Sequence, residues 1–275
     1  MGLFKTLETI GLWILIAMVF GIPAYLFLSH KLGAKYRRAM FGKTLIKEQT
    51  LNIPLEGNFP AAATVAKYMY KSGDEDIDRS ATGAYYLKWL DEGLITVGKY
   101  EGEECLVLTP KNPFKDPIEK KLYSFALKAA PDSIHLSQHQ LGGYAYLHHN
   151  QVISTNDYVN QGLKWFKEKY YLDKEGTFSP ILSPEGKAAA IKVIELKNYL
   201  EAASKGKAAL PPADAPVTVY MRYALLFGCE DALCAAWQSL LPQDFAHNLQ
   251  LCKRFIDHMF MQSSMAYDRE NGLDD

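Results

Sequence analysis

The most extended apolar feature of the chain is an uncharged run of 19 residues at positions 10–28. A helix of that length reaches about 28 Å, which is close to the hydrocarbon thickness of a bilayer. A secretion signal would have a shorter apolar run with its basic residues in front of it. A buried core helix would need a large domain around it. We therefore predict a transmembrane helix at 10–29, after a short extracytoplasmic segment at 1–9.

Basic residues follow this run, and the first acidic residue after them is Glu48. The positive-inside rule then predicts a single-pass protein of the inner membrane, with its N-terminus outside and its body in the cytoplasm. Segment 30–50 is the basic juxtamembrane segment, whose charge suits anionic lipid headgroups. The candidate membrane-surface residues are Lys31, Lys35, Arg37, Arg38, Lys43 and Lys47.

Segment 51–115 combines helical and strand-like periodicity. Pro60 suits the first turn of one helix, and apolar residues at helical spacing predict a second helix at 80–92, ended by Gly93. Alternating residues at 94–97 and 105–109 then predict a two-stranded hairpin. Helix, helix and hairpin is the order of a winged helix-turn-helix, so we predict a winged-helix-like module here.

Segment 116–206 predicts a second helical module, whose order again resembles a winged helix. Asp116 suits an N-cap, Pro117 the first helical position, and Glu119 the far side of a capping box. Further helices are predicted at about 136–148 and 156–171, with 176–182 as a wing. A helix from Pro184 should bury a stripe at four- and three-residue spacing and expose its charged residues. The stripe comprises Ala189, Val193, Leu196, Leu200 and Ala203, and the outer residues are Lys192, Glu195, Lys197 and Glu201.

The C-terminal part reads as a linker at 207–216, a helical region at 217–268 and a frayed tail at 269–275. Two apolar helices are expected at 217–227 and 231–241, and a long last helix follows. That helix should bury Phe245, Leu249, Cys252, Ile256 and Met259. The predicted fold class is therefore mainly α with small β-hairpins, behind a single N-terminal transmembrane helix.

Charge separates the membrane side from the body. Residues 31–47 carry +6 and the whole chain −1, so residues 48–275 carry −7. An acidic body disfavours nucleic acid, whose binding depends on neutralising phosphates. Positions 74–92, which include the predicted recognition helix at 80–92, sum to −4. The helix predicted at 156–171 is more favourable for contact with phosphates, because it carries Lys164, Lys167 and Lys169.

Two stretches carry a family resemblance. NIPLEGNFPAAATVAKYM at 52–69, followed by ATGAYYLKWLDEGLITV at 81–97, resembles the cytoplasmic C-terminal part of a bacterial "predicted membrane protein" family, domain of unknown function number 2207. YALLFG at 223–228 resembles the end of a later helix in that family, and the likeness covers about 45–245. It implies a membrane-tethered body and supplies no catalytic residues. Family members carry an extracytoplasmic β-rich domain where this chain has nine residues.

The candidate chemistry is sparse. His135 and His139 would share a helix face at a spacing that suits zinc, with His148 or His149 as a third ligand, but no HExxH glutamate lies between them. Cys105, Cys229, Cys234 and Cys252 form no CxxC pair and are expected as buried thiols. No cofactor and no metal are therefore expected. The interface candidates on the last helix are Phe255, Met259 and Met261, with Met265 beside them.

These patterns predict a non-enzymatic adaptor or scaffold that binds a protein partner at the inner membrane surface. That partner is unidentified, and a subunit of a membrane complex is one possibility. A membrane-tethered, DNA-binding transcription regulator is the alternative. A metal-dependent enzyme built on His135 and His139 is the third reading.

Overall fold

The computed structural model describes residues 46–69, 77–110, 114–174 and 181–272. The predicted extracytoplasmic segment at 1–9, the transmembrane helix at 10–29 and the basic residues from Lys31 to Lys43 lie outside them. Lys47 is described and is exposed. Within the described ranges, no helix is both long and apolar enough to cross a membrane.

The described residues are mainly helical and include a small three-stranded antiparallel sheet. The helices are α1 (Phe59–Met69), α2 (Ile77–Asp91), α3 (Pro117–Ala129), α4 (Gln138–Leu147), α5 (Thr155–Glu168), α6 (Pro184–Ser204), α7 (Val217–Phe227), α8 (Glu230–Ala236) and α9 (Phe245–Glu270). The strands are β1 (Ile95–Tyr100), β2 (Glu103–Leu108), β3 (His135–Leu136), β4 (Leu172–Lys174) and β5 (Ile181–Leu182). Single turns of 3-10 helix lie at Leu55–Gly57 and His149–Gln151.

The predicted order of helix, helix and hairpin is confirmed in the first module. Strands β1 and β2 pair antiparallel, from Ile95 opposite Leu108 to Tyr100 opposite Glu103. Strand β3 adds to the other side of β2, where Leu136 lies opposite Leu106. The sheet therefore joins the first module to the chain between α3 and α4.

Helix α2 is the central helix of the body, packed against α7 and α9. Seven consecutive residues, from Ala81 to Leu87, are buried. In a DNA-binding version of this module, α2 would have to present a recognition face. Helices on several sides cover it, and little of its surface is left for a DNA groove.

Helix α3 begins as its sequence predicts. Asp116 is the N-cap, its side chain accepts a hydrogen bond from the Ile118 amide at 2.9 Å, and Pro117 occupies the first turn. The capping-box role expected of Glu119 is not formed. Its carboxylate is buried, and it accepts hydrogen bonds from side chains of α2 instead.

Helix α4 starts later than expected. Ser137 caps it through a reciprocal capping box with Gln140, so His135 lies on β3, outside the helix. Helix α4 then packs closely along α9. A Cβ at Gly142 would lie 2.3 Å from Cδ2 of His258, so a glycine is what permits this approach.

The long helices α6 and α9 follow their predicted stripes with small departures. In α6, Val193, Leu196, Leu200 and Ala203 are buried, and Ala189 is partly exposed. Glu195 is buried against the expectation, and its carboxylate accepts hydrogen bonds from Lys192 at 2.8 and 3.0 Å.

The C-terminal region also departs from its predicted bounds. All five predicted core positions of α9 are buried, from Phe245 to Met259. The helix continues to Glu270, where a frayed tail was expected, and α8 is shorter than the predicted 231–241.

Candidate functional site

A polar cavity of about 540 Å³ lies at the start of helices α1 and α3. We call it the polar cleft. Residues 56–60 and 115–117 form its rim, α2 and α3 its floor, and α5 and α7 its sides. Both helix starts are fixed locally, since Asn58 Oδ1 accepts from the Ala61 amide at 2.9 Å, much as Asp116 caps α3.

The floor of the polar cleft is a buried ion pair. Lys88 Nζ donates to the two Glu119 carboxylate oxygens at 2.7 and 2.8 Å. Trp89 Nε1 also donates to Glu119, at 2.9 Å, and Glu119 is 4% exposed. A buried carboxylate needs such partners, because its desolvation is otherwise costly. Lys88 and Glu119 therefore fix α2 to α3.

A second buried contact joins the same two helices. Tyr85 Oη donates to Asp116 Oδ2 at 2.7 Å. Burial, followed by the charge of Asp116, raises the pKa of Tyr85 well above its ordinary value. The hydroxyl therefore stays protonated and acts as a hydrogen-bond donor.

One side of the polar cleft is cationic and aromatic. The Arg222 guanidinium carbon lies 5.7 Å from the centre of the Phe59 ring. Its Nε is buried and has no hydrogen-bond partner among the described residues. Trp165 lines the opposite side, and Lys169 Nζ lies 5.7 Å from the centre of its ring.

The rim is strained. Leu55 and Glu56 have φ of 53° and 54°, a region that side chains other than glycine's rarely occupy. Glu56 is held there by Lys169, whose Nζ donates to its carboxylate at 2.6 and 2.8 Å. Such strain persists where surrounding contacts enforce it, and it is concentrated at functional sites.

A second surface is a groove of about 640 Å³ along the outer side of α9, which we call the α9 groove. Its α9 residues recur at helical spacing, and Arg79 of α2 and Gln138 of α4 form the facing wall. Met261 and Met265 are 45% and 51% exposed. The residues that α9 contributes are Arg254, Asp257, His258, Met261, Ser264, Met265 and Asp268.

The predicted interface residues divide between this groove and the core. Met261 lies in the α9 groove. Phe255 and Met259 are each 1% exposed and pack in the core, so they offer no surface to a partner. Met259 falls on the predicted buried stripe of α9, and Phe255 is buried beside the stripe residue Ile256, whereas 261 and 265 lie off the stripe.

The predicted metal ligands do not share a helix face. His135 lies on β3, where its Nδ1 is 2.7 Å from Asp132 Oδ2 and its ring stacks on Tyr100. His139 is exposed in the first turn of α4, and His148 lies past its end against Tyr144. Among the described residues, no group of three or more His, Cys, Asp or Glu side chains could hold a metal ion.

The sequence patterns missed the residues of the polar cleft, although two signals were present. Arg222 is the one charged residue in the apolar stretch 217–227, and Lys88 is flanked by apolar residues in α2. A charge inside an apolar helix indicates a paired or functional group. Its partner, however, depends on tertiary packing.

The four cysteines are free in the structure, and three of them are buried, as expected for structural thiols. Burial raises the pKa of Cys252 to about 12. A thiol with so high a pKa is protonated at neutral pH and is a poor nucleophile.

Comparison with known proteins gives no relative. No family model matches the chain, and neither a curated protein nor a solved structure matches it. The resemblance to domain of unknown function number 2207 therefore stays a prediction.

Proposed function

We propose that this chain is a membrane-anchored adaptor that holds a protein partner at the inner membrane surface. The observation that carries the proposal is the α9 groove, in which two exposed methionines lie between charged residues. Exposed apolar residues rimmed by polar ones are typical of protein-binding surfaces, and methionine adapts to the shape of its partner.

The groove suits an amphipathic helix of the partner. The span from Arg254 to Asp268 covers about 21 Å of helix, or about four turns. Asp257 lies near the start of this span and Asp268 at its end, whereas Arg254 is paired with Glu104. A helix with basic residues against the two aspartates would complement this distribution, with apolar side chains on Met261 and Met265.

The membrane side of the proposal rests on the sequence. The apolar run at 10–28 would span the bilayer, and the basic segment at 30–50 would hold the body near anionic lipid. A reporter that requires the cytosol, fused after Asp275, should then be active, and activity of a periplasmic reporter would contradict this orientation.

Site-specific photo-crosslinking in intact membranes tests the adaptor function. We expect a photoreactive residue at position 265 of the full-length chain to give a discrete crosslinked species. The variant Met261→Lys should abolish that species without changing the unfolding midpoint, because an exposed methionine contributes little to the core.

The matched control places the photoreactive residue at Lys207, which is exposed in the loop after α6. Equal crosslinking from positions 207 and 265, or a crosslink that survives Met261→Lys, would overturn the groove as the docking surface. A free amphipathic helix with the complementary basic residues should compete with the crosslink, and the same helix with acidic residues in their place should not.

A DNA-binding regulator is the second candidate, and one observation favours it. From α3 to β5 the order is helix, strand, helix, helix and hairpin, which is the order of a winged helix. Helix α5 would be its recognition helix, with Asn156, Asn160 and Lys164 exposed at four-residue spacing. Strand β3 pairs with β2, away from β4 and β5, which departs from that fold.

A mobility-shift titration of the full-length chain against salt separates the two candidates. DNA binding should weaken steeply with salt, and Lys164→Glu should weaken it further. We expect no shift at near-physiological salt, because the body is acidic. A salt-dependent shift that Lys164→Glu removes would favour the regulator over the adaptor.

A further inference from the structure

The acids of the polar cleft all have hydrogen-bond donors. Glu119 is paired with Lys88, and Glu56 with Lys169. Asp116 accepts from Tyr85 and from the start of its own helix, which are neutral donors. None of the three acids is therefore in a salt bridge with Arg222 or Lys115.

Two cations of the cleft have no such partner. Within the described part of the chain, neither Arg222 nor Lys115 forms a salt bridge, and Arg222 Nε finds no acceptor for its N–H group. A buried, unsatisfied N–H group is costly, and a charged acceptor is its strongest remedy. The cleft therefore presents, beside the Phe59 ring, a guanidinium that no carboxylate of the described residues pairs with.

The dimensions and walls of the cleft suit a small group. Its volume of about 540 Å³ lies in the usual range of ligand pockets, roughly 300–1,000 Å³. Phe59 and Trp165 supply aromatic surface on two sides, and Gln161 adds an amide between them along α5. Flat or apolar atoms can pack on the rings while a charged end meets Arg222.

We infer that the polar cleft binds a carboxylate group, which Arg222 holds and Lys115 attracts at the rim. A guanidinium matches a carboxylate in shape and charge and can bind it through two parallel hydrogen bonds. A phosphate dianion fits less well, because Asp116 and Glu119 line the same cleft and repel a second negative charge. The ligand class is therefore a monocarboxylate with an aromatic or apolar body.

This site is independent of the proposed function. The residues that line the polar cleft and those that line the α9 groove do not overlap. The carboxylate can come from a free small acid or from the side chain of a Glu in a partner peptide. The two sources share one chemistry and can be separated by the probe.

Titration calorimetry of the full-length chain provides the test. The probes are benzoate, inorganic phosphate, a capped peptide with a single Glu, and the same peptide with Gln. We expect benzoate or the Glu peptide to bind with one-to-one stoichiometry. Phosphate and the Gln peptide should bind about tenfold more weakly or not at all, as loss of one charge-assisted hydrogen bond predicts.

Variants locate the binding. Arg222→Met keeps most of the apolar stem and should weaken binding by about tenfold or more, and Arg222→Lys should restore only part of it. Lys115 is exposed, so Lys115→Glu leaves the fold intact and should also weaken binding. Lys207→Met, outside the cleft, should change nothing, and unfolding midpoints show which variants remain folded.

Each result bears on the proposal. Binding of benzoate without the Glu peptide identifies a small acid, and the reverse identifies a peptide side chain; both support the carboxylate site. Failure of both probes to bind would overturn it, as would binding of phosphate at least as tight as that of benzoate. Binding unchanged by both Arg222→Met and Lys115→Glu would overturn it too.

Discussion

Helices α2 and α9 differ in where their polar side chains lie. Helix α2 is covered on several sides, and its polar groups are satisfied inside, through Lys88 with Glu119 and Tyr85 with Asp116. Helix α9 is covered on one side, and its other side is the α9 groove. The polar side chains of α2 thus stabilise the fold, whereas those of α9 in the groove are accessible to a partner.

The same contrast holds for one ion pair on each helix. Lys88 of α2 and Lys253 of α9 both contact a buried glutamate of another helix, Glu119 and Glu230. Lys253 also reaches the more exposed Asp231 at 2.7 Å. Lys88 also lies 3.7 Å from the exposed Glu92, so each lysine has a second carboxylate near water. The pair on α2 differs by a further hydrogen bond in the core, from Trp89.

The largest expected effect is that of Glu119→Gln. The change removes the charge that accepts from both Lys88 and Trp89 in the core and leaves Lys88 only its longer contact to Glu92, at 3.7 Å. The free energy of unfolding should therefore fall by about 3 kcal/mol. Urea unfolding of the full-length chain, followed by the fluorescence of its tryptophans, measures this loss.

The matched variant is Glu230→Gln, for which we expect a loss of about 1 kcal/mol, because Lys253 keeps Asp231. Equal losses for the two variants would show that the central position of α2 does not strengthen its pair. The comparison between the helices would then fail at this point.

The next effect concerns the contact between α4 and α9. In Gly142→Ala the new Cβ would meet the His258 ring at 2.3 Å, and overpacking of this kind should cost about 2 kcal/mol. Gly143→Ala, one residue on, meets nothing within 4 Å and should raise stability by up to about 1 kcal/mol through helix propensity. Thermal unfolding compares them, and a stabilised Gly142→Ala would contradict the close approach of α9.

A smaller effect is expected inside α2. A Cβ at Gly83 would lie 3.9 Å from Leu225, at ordinary van der Waals distance. Gly83→Ala should therefore raise the free energy of unfolding by about 0.5 kcal/mol, although the residue is buried. A loss of stability measured by urea unfolding would show that α2 and α7 are packed more tightly than this distance indicates.

The smallest effect is a pH dependence on α9. Burial opposes the charge of Lys253, but hydrogen bonds to Asp231 and Glu230 outweigh it and raise the pKa above 10.5. Its contribution to stability is therefore complete below pH 10.5 and is lost as the pH rises through the higher folded-state pKa. Lys253→Met should show a weaker decline of unfolding midpoint with alkaline pH than the unchanged chain, and an identical decline would contradict this assignment.

Much of the local architecture could be read from the sequence. Asp116-Pro117 and Ser183-Pro184 start helices where their capping chemistry predicts, and the buried stripe of α9 follows its spacing. These signals lie within a few residues of each other, so they need no knowledge of the fold.

The rest depends on contacts between distant parts of the chain. Glu119 looked like a capping residue because the sequence does not reveal that Lys88 and Trp89 lie beside it. The prediction that His135 and His139 share a helix face was wrong because His135 pairs with β2 in the sheet, opposite Val107. That pairing joins distant parts of the chain. The polar cleft combines five segments, and no single segment carries its pattern.

The short strand β3 has a consequence for dividing the protein. It covers the edge of β2 through Leu136 and through the Ile134 carbonyl, which accepts from the Leu108 amide at 2.7 Å. A fragment that ends at residue 115 would leave those backbone groups unpaired on a strand rich in Leu and Val. Exposed edges of this kind add strands from other chains, so the fragment should self-associate, and supplying the missing segment as a peptide should suppress it.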